Sequence, residues 1–162
     1  MAFGFKKILC PVDFDDNSIA ALDAAAKMAR ESNGTLEVLH AVPLVIQPGG
    51  MPIYVDIYSV EEQTAKTELL ELAKLHLQGV SYELRTTVAE PCAAILHAQK
   101  QLGADVIVMG THGRRGIARF FLGSTAERVV REAPCPVLTI RGHSTAPVVA
   151  RTCVRAKEAA AC

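Results

Sequence analysis

The sequence predicts a single doubly wound α/β domain, and three observations support this fold class. Half of the 162 residues are hydrophobic, which is enough for one sizeable core. Strand-like segments alternate with helix-like segments along most of the chain, as in proteins with a mostly parallel sheet and helices on both faces. The segment from Ala104 to Met109 (ADVIVM) is almost entirely apolar, which is typical of a strand buried on both faces.

The first strand is predicted from Lys7 to Val12, where the polar cluster DFDDNS ends it. A helix is predicted next, from Ser18 to Ser32, with capping candidates at Asp16 to Ser18 and an end at Asn33-Gly34. Its apolar face comprises Ile19, Leu22, Ala26 and Ala29. The second strand runs from Thr35 to Val42 because its residues alternate and Pro43 stops it.

The stretch from Pro43 to Ser59 contains Pro48, the Gly49-Gly50 pair and Pro52. These residues break regular structure, so a loop or lid is predicted here. The helix that follows, from Val60 to Gln78, carries a stripe of Leu69, Leu72 and Leu75.

The rest of the domain continues the alternation. Its predicted elements are a strand from Ser81 to Val88, a helix from Cys92 to Leu102, the strand Ala104 to Met109, a helix from Ser124 to Ala133 and a strand from Pro136 to Arg141. The inward face of the last helix is predicted to hold Ala126, Val129, Val130 and Ala133. The domain thus spans residues 1–141, and the tail, residues 142–162, is either a short helix or a frayed extension. Contact with a partner chain is a further role open to this tail.

Composition excludes several functional classes. The formal net charge is zero, which argues against a nucleic-acid-binding surface. No apolar run is long enough for a membrane span, and the N-terminus lacks a signal peptide, so a cytoplasmic location is expected. The five cysteines are scattered without a C-x-x-C pair, so neither a disulfide framework nor a zinc site is predicted. Cys10 and Cys135 are expected to pack as small hydrophobic side chains.

The stretch GTHGRRGIARFFLGST, from Gly110 to Thr125, suits a phosphate. It follows the buried strand, at the end of the sheet where ligands bind in open α/β folds. Glycines let backbone amides approach an anion, and Ser124 to Glu127 resembles a capping box that opens a helix N-terminus. Pro11, Val12 and Asp13 stand at the matching end of the first strand. Both segments line one crevice if those two strands are neighbours.

Each feature alone also has a plain structural explanation. Gly110 is then only a strand end, Ser124 an ordinary cap and the arginines a solvated face. Asp13 is then either a solvated turn acid or the cap of the first helix. The combination of position and spacing favours phosphate binding. Neither a P-loop nor a G-x-G-x-x-G fingerprint is present. His40 is expected to be a satisfied, partly buried histidine.

The spacing Gly-x2-Gly-x9-Gly-Ser after a buried strand resembles the ATP-binding signature of the universal stress protein family. The segments KKILCPVDF, LEVLHAV, ADVIVMGTHGRRG and GSTAERVVREAPCPVLTIR are similar to that family from about Lys6 to Arg141. The resemblance implies a Rossmann-like, five-stranded parallel sheet of the adenine nucleotide alpha hydrolase-like group. It also implies a homodimer through the last strand, from Val137 to Arg141. The loop from Pro43 to Ser59 and the tail after Arg141 are not informative.

The same resemblance implies that Pro11, Val12 and Asp13 border the adenosine. Asp13 is then a candidate for contact with the ribose or with a Mg²⁺ bound to the phosphates. Ala41 and Val42, at the end of the second strand, would wall the adenine.

The phosphate end is implied in the same way. Met109 and Gly110 begin the loop, followed along the phosphates by His112, Gly113, Arg114 and Gly116. The β- and γ-phosphates are enclosed by Gly123, Ser124 and Thr125.

Three functions are compatible with this sequence. The first is an ATP-binding regulatory protein that acts as a switch in the stress response, with slow or no hydrolysis. The second is a slow ATPase or a phosphoryl or nucleotidyl transferase, although the H-x-G-H signature of nucleotidyl-transferring relatives is missing. The third is an interaction module that has lost nucleotide binding, which the intact glycine and Ser-Thr positions argue against.

Overall fold

A computed structural model describes residues 4–44, 56–111 and 122–142. The strands are β1 (Lys7–Pro11), β2 (Thr35–Val42), β3 (Ser81–Val88), β4 (Val106–Gly110) and β5 (Val137–Ile140). The helices are α1 (Asp16–Ser32), α2 (Asp56–His76), α3 (Pro91–Leu102) and α4 (Ser124–Glu132). The five strands form one sheet in the order β3-β2-β1-β4-β5, and every pair in it is parallel. The predicted five-stranded, doubly wound α/β fold is confirmed.

The two faces of the sheet carry separate cores, because successive side chains of each strand point in opposite directions. On one face, Ile8 and Val38 pack with α1 and α2. On the other face, Leu9 and Leu39 pack with α3 and α4. Val106, Ile107 and Val108 of β4 are all at most 2% exposed, so β4 is buried on both faces as its composition predicts.

The buried faces of α2 and α4 differ from their predicted stripes. On α2 the buried side chains follow a four-residue step through Ala65, Leu69 and Ala73, whereas Leu75 is 71% exposed. Steps of three residues turn a stripe by about 60° each, so the predicted stripe leaves the core within two steps. On α4, Val129 is buried and its neighbour Val130 is 48% exposed. The predictions for Leu75 and Val130 were therefore wrong.

Three smaller corrections concern element ends and burial. Ile19, predicted to lie on the buried face of α1, is only half-buried. The helix α2 begins at Asp56, so residues 56–59 of the predicted loop are helical. Residues 45–55 of that loop and residues 143–162 of the tail lie outside the described residues. None of the helices within the described ranges is both long and apolar enough to cross a membrane.

The helix α1 is capped by Asp15, one residue before the predicted candidates. The Asp15 carboxylate accepts a hydrogen bond of 2.7 Å from the Ser18 amide, which satisfies one of the amides that a helix start leaves without a partner. The side chain of Asp16 is exposed and lies in the first turn.

Replacing Asp15 by alanine is expected to lower the free energy of unfolding by about 1 kcal/mol, because the cap bond is lost. Asp16→Ala is the matched control. It removes the same charge from the same turn and is expected to lose only a few tenths of a kcal/mol. Urea denaturation of both variants at pH 7 checks this, and equal losses would show that charge rather than the cap bond is what matters.

Candidate functional site

The candidate site lies at the carboxyl ends of β1 and β4, where open α/β sheets form a ligand-binding crevice. These strands are direct neighbours, with Ile8 opposite Val106 and Leu9 opposite Ile107. The chain passes from β1 to β2 and β3 on one side and to β4 and β5 on the other, so the strand order reverses between β1 and β4. Ligands bind at such a reversal in open α/β sheets. The sheet therefore brings the end of β1 and Gly110 to the same edge, as the sequence analysis required.

Gly110 lies in close contact with the first turn of α1. A Cβ atom at this position would lie 3.0 Å from the carbonyl carbon of Asn17 and 3.0 Å from the amide nitrogen of Ser18. Both are backbone atoms, so a side chain cannot be accommodated by a change of rotamer. The missing side chain thus lets the end of β4 and the start of α1 meet at the floor of the crevice.

The start of α4 is held at the same edge by Thr111. The Gly123 amide donates to the Thr111 carbonyl at 2.7 Å, and the Thr111 amide donates to the Ile140 carbonyl at 3.0 Å. The N-cap residue of α4 is Gly123, and within the part of the chain that the structure describes no side chain caps this helix. The predicted capping box is wrong: Ser124 is the first residue of the helix, and the Glu127 carboxylate pairs with Arg131 at 2.6 Å.

Gly123 has no side chain that could accept hydrogen bonds from the amides of the first turn of α4. The amides of Ser124, Thr125 and Ala126 have no acceptor within α4, since the first turn of a helix has no preceding turn. They lie at the positive end of the helix dipole. Ser124 is exposed and Thr125 is half-buried, so amides and hydroxyl groups together form an arrangement suited to an anion.

The opposite side of the crevice, after β1, is acidic. The Asp13 amide donates to the Ser18 hydroxyl at 3.3 Å, and the Asp15 amide donates to an Asp13 carboxylate oxygen at 3.4 Å. Burial, and then the nearby Asp15 carboxylate, raise the pKa of Asp13 above its usual value. Two carboxylates beside each other repel a phosphate and attract hydroxyl donors or a cation. The candidate site is therefore polarised, with an acidic end after β1 and an end suited to an anion at the start of α4.

His40 contacts this acidic loop, which the sequence did not reveal. Its Nδ1 lies 2.8 Å from the Val12 carbonyl oxygen, and its ring centroid lies 4.5 Å from that of Phe14. Phe14 has a φ of 64°, an uncommon backbone conformation for a bulky residue. The expectation that His40 is partly buried and hydrogen-bonded is confirmed. Its partner, Val12, lies 28 positions away in the sequence, so no local pattern pointed to this contact.

The remaining predicted residues fall into two groups. Pro11 and Ala41 are half-buried, whereas Val12, Val42 and Met109 are at most 5% exposed, so these three leave little surface for a ligand. His112, Gly113, Arg114 and Gly116 lie outside the described residues. Within the described ranges, no group of three or more His, Cys, Asp or Glu side chains is arranged to hold a metal ion.

Comparison with known proteins agrees with this architecture. The family model described as "Universal stress protein family" matches residues 4–141. A universal stress protein of Thermus aquaticus is 35% identical over 138 residues, which cover 85% of this chain and 99% of that protein. The solved structure of the universal stress protein UspA from Lactobacillus plantarum has a TM-score of 0.74 and 27% identity, and the match covers 85% of this chain and 98% of that one.

A further solved structure includes a nucleotide. The universal stress protein from Archaeoglobus fulgidus in complex with dAMP has a TM-score of 0.61 and 24% identity, and the match covers 85% of this chain and 99% of that one. An identity this low shows a shared fold alone. The family match over most of the chain and the 35% identical relative show more than the fold: this chain is a member of the universal stress protein family.

Proposed function

We propose that this protein binds an adenine nucleotide in the crevice between β1 and β4 and acts as a nucleotide-dependent regulatory switch in the stress response. The proposed ligand is ATP with Mg²⁺, with slow or no hydrolysis. The observation that carries the proposal is the helix α4, whose N-cap residue is Gly123, a residue without a side chain, and whose start is bonded to Thr111, directly after β4. The dAMP complex of the Archaeoglobus fulgidus protein supports the choice of an adenine nucleotide.

The uneven charge of the site determines the proposed orientation of the bound nucleotide. The phosphates are proposed to lie at Gly123, Ser124 and Thr125, where amides and hydroxyl groups attract an anion. The ribose is proposed to lie near Asp13, whose carboxylate accepts hydrogen bonds from hydroxyl groups or binds a Mg²⁺ that the phosphates also hold.

The other predicted residues extend this arrangement. Pro11 and Val12 are proposed to border the adenosine, Ala41 and Val42 to wall the adenine, and Met109 and Gly110 to form the floor. His112, Gly113, Arg114 and Gly116 are proposed, on the family resemblance alone, to follow the phosphates.

A regulatory switch must also change an interaction with another protein chain, and we propose that β5 is the surface that makes this interaction. Among the described strands, β5 pairs with β4 alone, and Leu138 on it is 41% exposed. We propose that two copies pair along this edge to form a homodimer. Nucleotide binding changes which partner this protein contacts only if the nucleotide binds one conformational state of the protein more tightly than the other.

The decisive experiment is calorimetric titration of the nucleotide-stripped protein with ATP and Mg²⁺, followed by an hour-scale assay of released phosphate. Binding with little release is expected. Steady turnover would favour the slow ATPase or transferase instead. A folded sample that binds neither ATP, ADP nor AMP would overturn the proposal.

The position of the phosphates is tested by Ser124→Ala. Loss of a hydroxyl that hydrogen-bonds a charged phosphate is expected to weaken ATP binding about tenfold and to leave adenosine binding unchanged. Ser81→Ala is the matched control, because Ser81 is exposed at the amino end of β3, the opposite edge of the sheet. If the two variants bind ATP equally well, the phosphates do not lie at Ser124.

A further inference from the structure

His40 lies beside the crevice but belongs to none of its proposed contact groups. It is the residue of β2 that reaches the loop after β1: its Nδ1 is 2.8 Å from the Val12 carbonyl oxygen. A carbonyl oxygen only accepts hydrogen bonds, so Nδ1 carries the proton and donates it. The side chain of one strand thereby holds the backbone of its neighbour one residue before Asp13.

Val12 is held from two sides. Its amide donates to the Leu39 carbonyl at 2.9 Å, and its carbonyl accepts from His40. Both partners are consecutive residues of β2, so they extend the β1–β2 pairing one residue beyond the last strand residue, Pro11. The peptide that joins Val12 to Asp13 is therefore fixed in orientation, and with it the direction in which the Asp13 carboxylate leaves the chain.

Phe14, the residue after Asp13, has an unfavourable backbone conformation in this loop. It takes a φ of 64°, in the left-handed region that a bulky residue rarely adopts. Its ring lies 4.5 Å from the His40 ring at an interplanar angle of 37°, a distance typical of favourable aromatic contacts. The His40 side chain thus contacts the loop twice, on each side of Asp13, and stabilises the conformation that Phe14 disfavours.

We propose that His40 is a positioning residue for the nucleoside half of the site: its Nδ1–H bond to Val12 and its contact with Phe14 hold Asp13 in the orientation that binds the ribose. This inference rests on the proposed nucleotide binding. His40 acts through the loop and does not touch the phosphates. Its loss therefore lowers the affinity for every ligand that contains adenosine by the same factor.

The experiment measures the affinities of adenosine, AMP and Mg-ATP by calorimetry for the wild-type chain and for two variants. His40→Asn keeps an N–H donor close to the position of Nδ1, and His40→Leu removes it. The leucine variant is expected to lose roughly 3- to 10-fold in affinity for all three ligands. The asparagine variant is expected to recover most of that loss. Thermal denaturation of each variant, with and without ligand, separates a change of affinity from a change of stability.

The outcomes separate this inference from the proposed function. If the wild-type chain binds all three ligands and both His40 variants bind them with the wild-type affinity, His40 does not position the loop. The proposed nucleotide binding would then still stand. If the leucine variant loses affinity for Mg-ATP and keeps it for adenosine, the inference is likewise overturned. If the leucine variant does not fold, His40→Ala replaces it as the variant without a donor, and equal affinities of His40→Ala and His40→Asn for adenosine would overturn the inference, because the donor would then contribute nothing. A wild-type chain that binds no nucleotide overturns both proposals.

Discussion

Replacing Arg85 by alanine is expected to destabilise the protein by about 3 kcal/mol at pH 7.5, because it leaves a buried carboxylate without its counter-charge. Glu37 on β2 is only 2% exposed. Its Oε1 lies 3.0 Å from Arg85 Nε, and among the described residues no group donates a well-aligned hydrogen bond to it. The attraction of Arg85 is therefore what offsets the burial of this charge.

The loss is expected to depend on pH in a defined direction. Burial raises the pKa of Glu37, and Arg85 opposes that rise. A carboxyl group whose pKa is raised in the folded state stabilises the fold below its unfolded pKa, and this contribution is lost as the pH rises through the folded pKa. Removing Arg85 raises the pKa further. The gap between wild type and Arg85→Ala is therefore expected to be large at pH 7.5 and to shrink as the pH falls towards 4.5.

Urea denaturation at both pH values checks this prediction. The double variant Glu37→Gln with Arg85→Ala is expected to recover most of the stability at pH 7.5, since no charge is then buried. Lys74→Ala is the control for an exposed pair: Lys74 and Glu71 are 70% and 63% exposed, and less than about 0.5 kcal/mol is expected. If the double variant is no more stable than Arg85→Ala, the lost contact is instead the 2.6 Å bond from Arg85 to Gln101.

Gly110→Ala is expected to have the second large effect, on stability and on nucleotide affinity together. The added Cβ would lie 3.0 Å from two backbone atoms of α1, so the start of α1 must move away from β4. Overpacking of this kind costs about 1–3 kcal/mol. Because the contact forms the floor of the crevice, the movement also displaces the loop that carries Asp13.

Gly34→Ala is the matched control. A Cβ at Gly34 would lie 2.8 Å from the backbone oxygens of Phe5 and Lys6, at the amino end of the sheet and away from the crevice. Both variants are expected to lose stability in urea denaturation, but only Gly110→Ala is expected to lose affinity for ATP in calorimetry. Equal affinities for the two variants would show that the floor of the crevice is not part of the site.

The alternation of apolar segments was sufficient to predict the fold, because burial on both faces forces a parallel sheet to be covered by helices on both sides. It was also sufficient to place Gly110 at a strand end. It was not sufficient for contacts that depend on which strands become neighbours. The Glu37–Arg85 pair joins β2 to β3, and the His40–Val12 bond joins β2 to the loop after β1. Residues 28 or more positions apart form these contacts, and no local pattern records them.

Helix starts and faces were predictable only in part. Asp15 and Asp16 are both good capping residues, so the choice between them depends on the loop conformation that Phe14 adopts. On α4, either Val129 or Val130 could face the core on sequence grounds alone. Packing against α3 is what buries Val129 and leaves Val130 exposed.

Thr111 connects the edge strand β5 to the start of α4, so changes at one of these elements can reach the other. Its amide donates a hydrogen bond to Ile140 of the edge strand β5, and its carbonyl accepts one from Gly123 at the start of α4. Thr111 therefore links the two elements directly. The proposed ligand at α4 and a second chain that pairs with β5 would therefore both act on Thr111, the first through its carbonyl and the second through its amide. If each shifts Thr111, thermodynamic reciprocity requires that tighter pairing at β5 tightens ligand binding by the same factor.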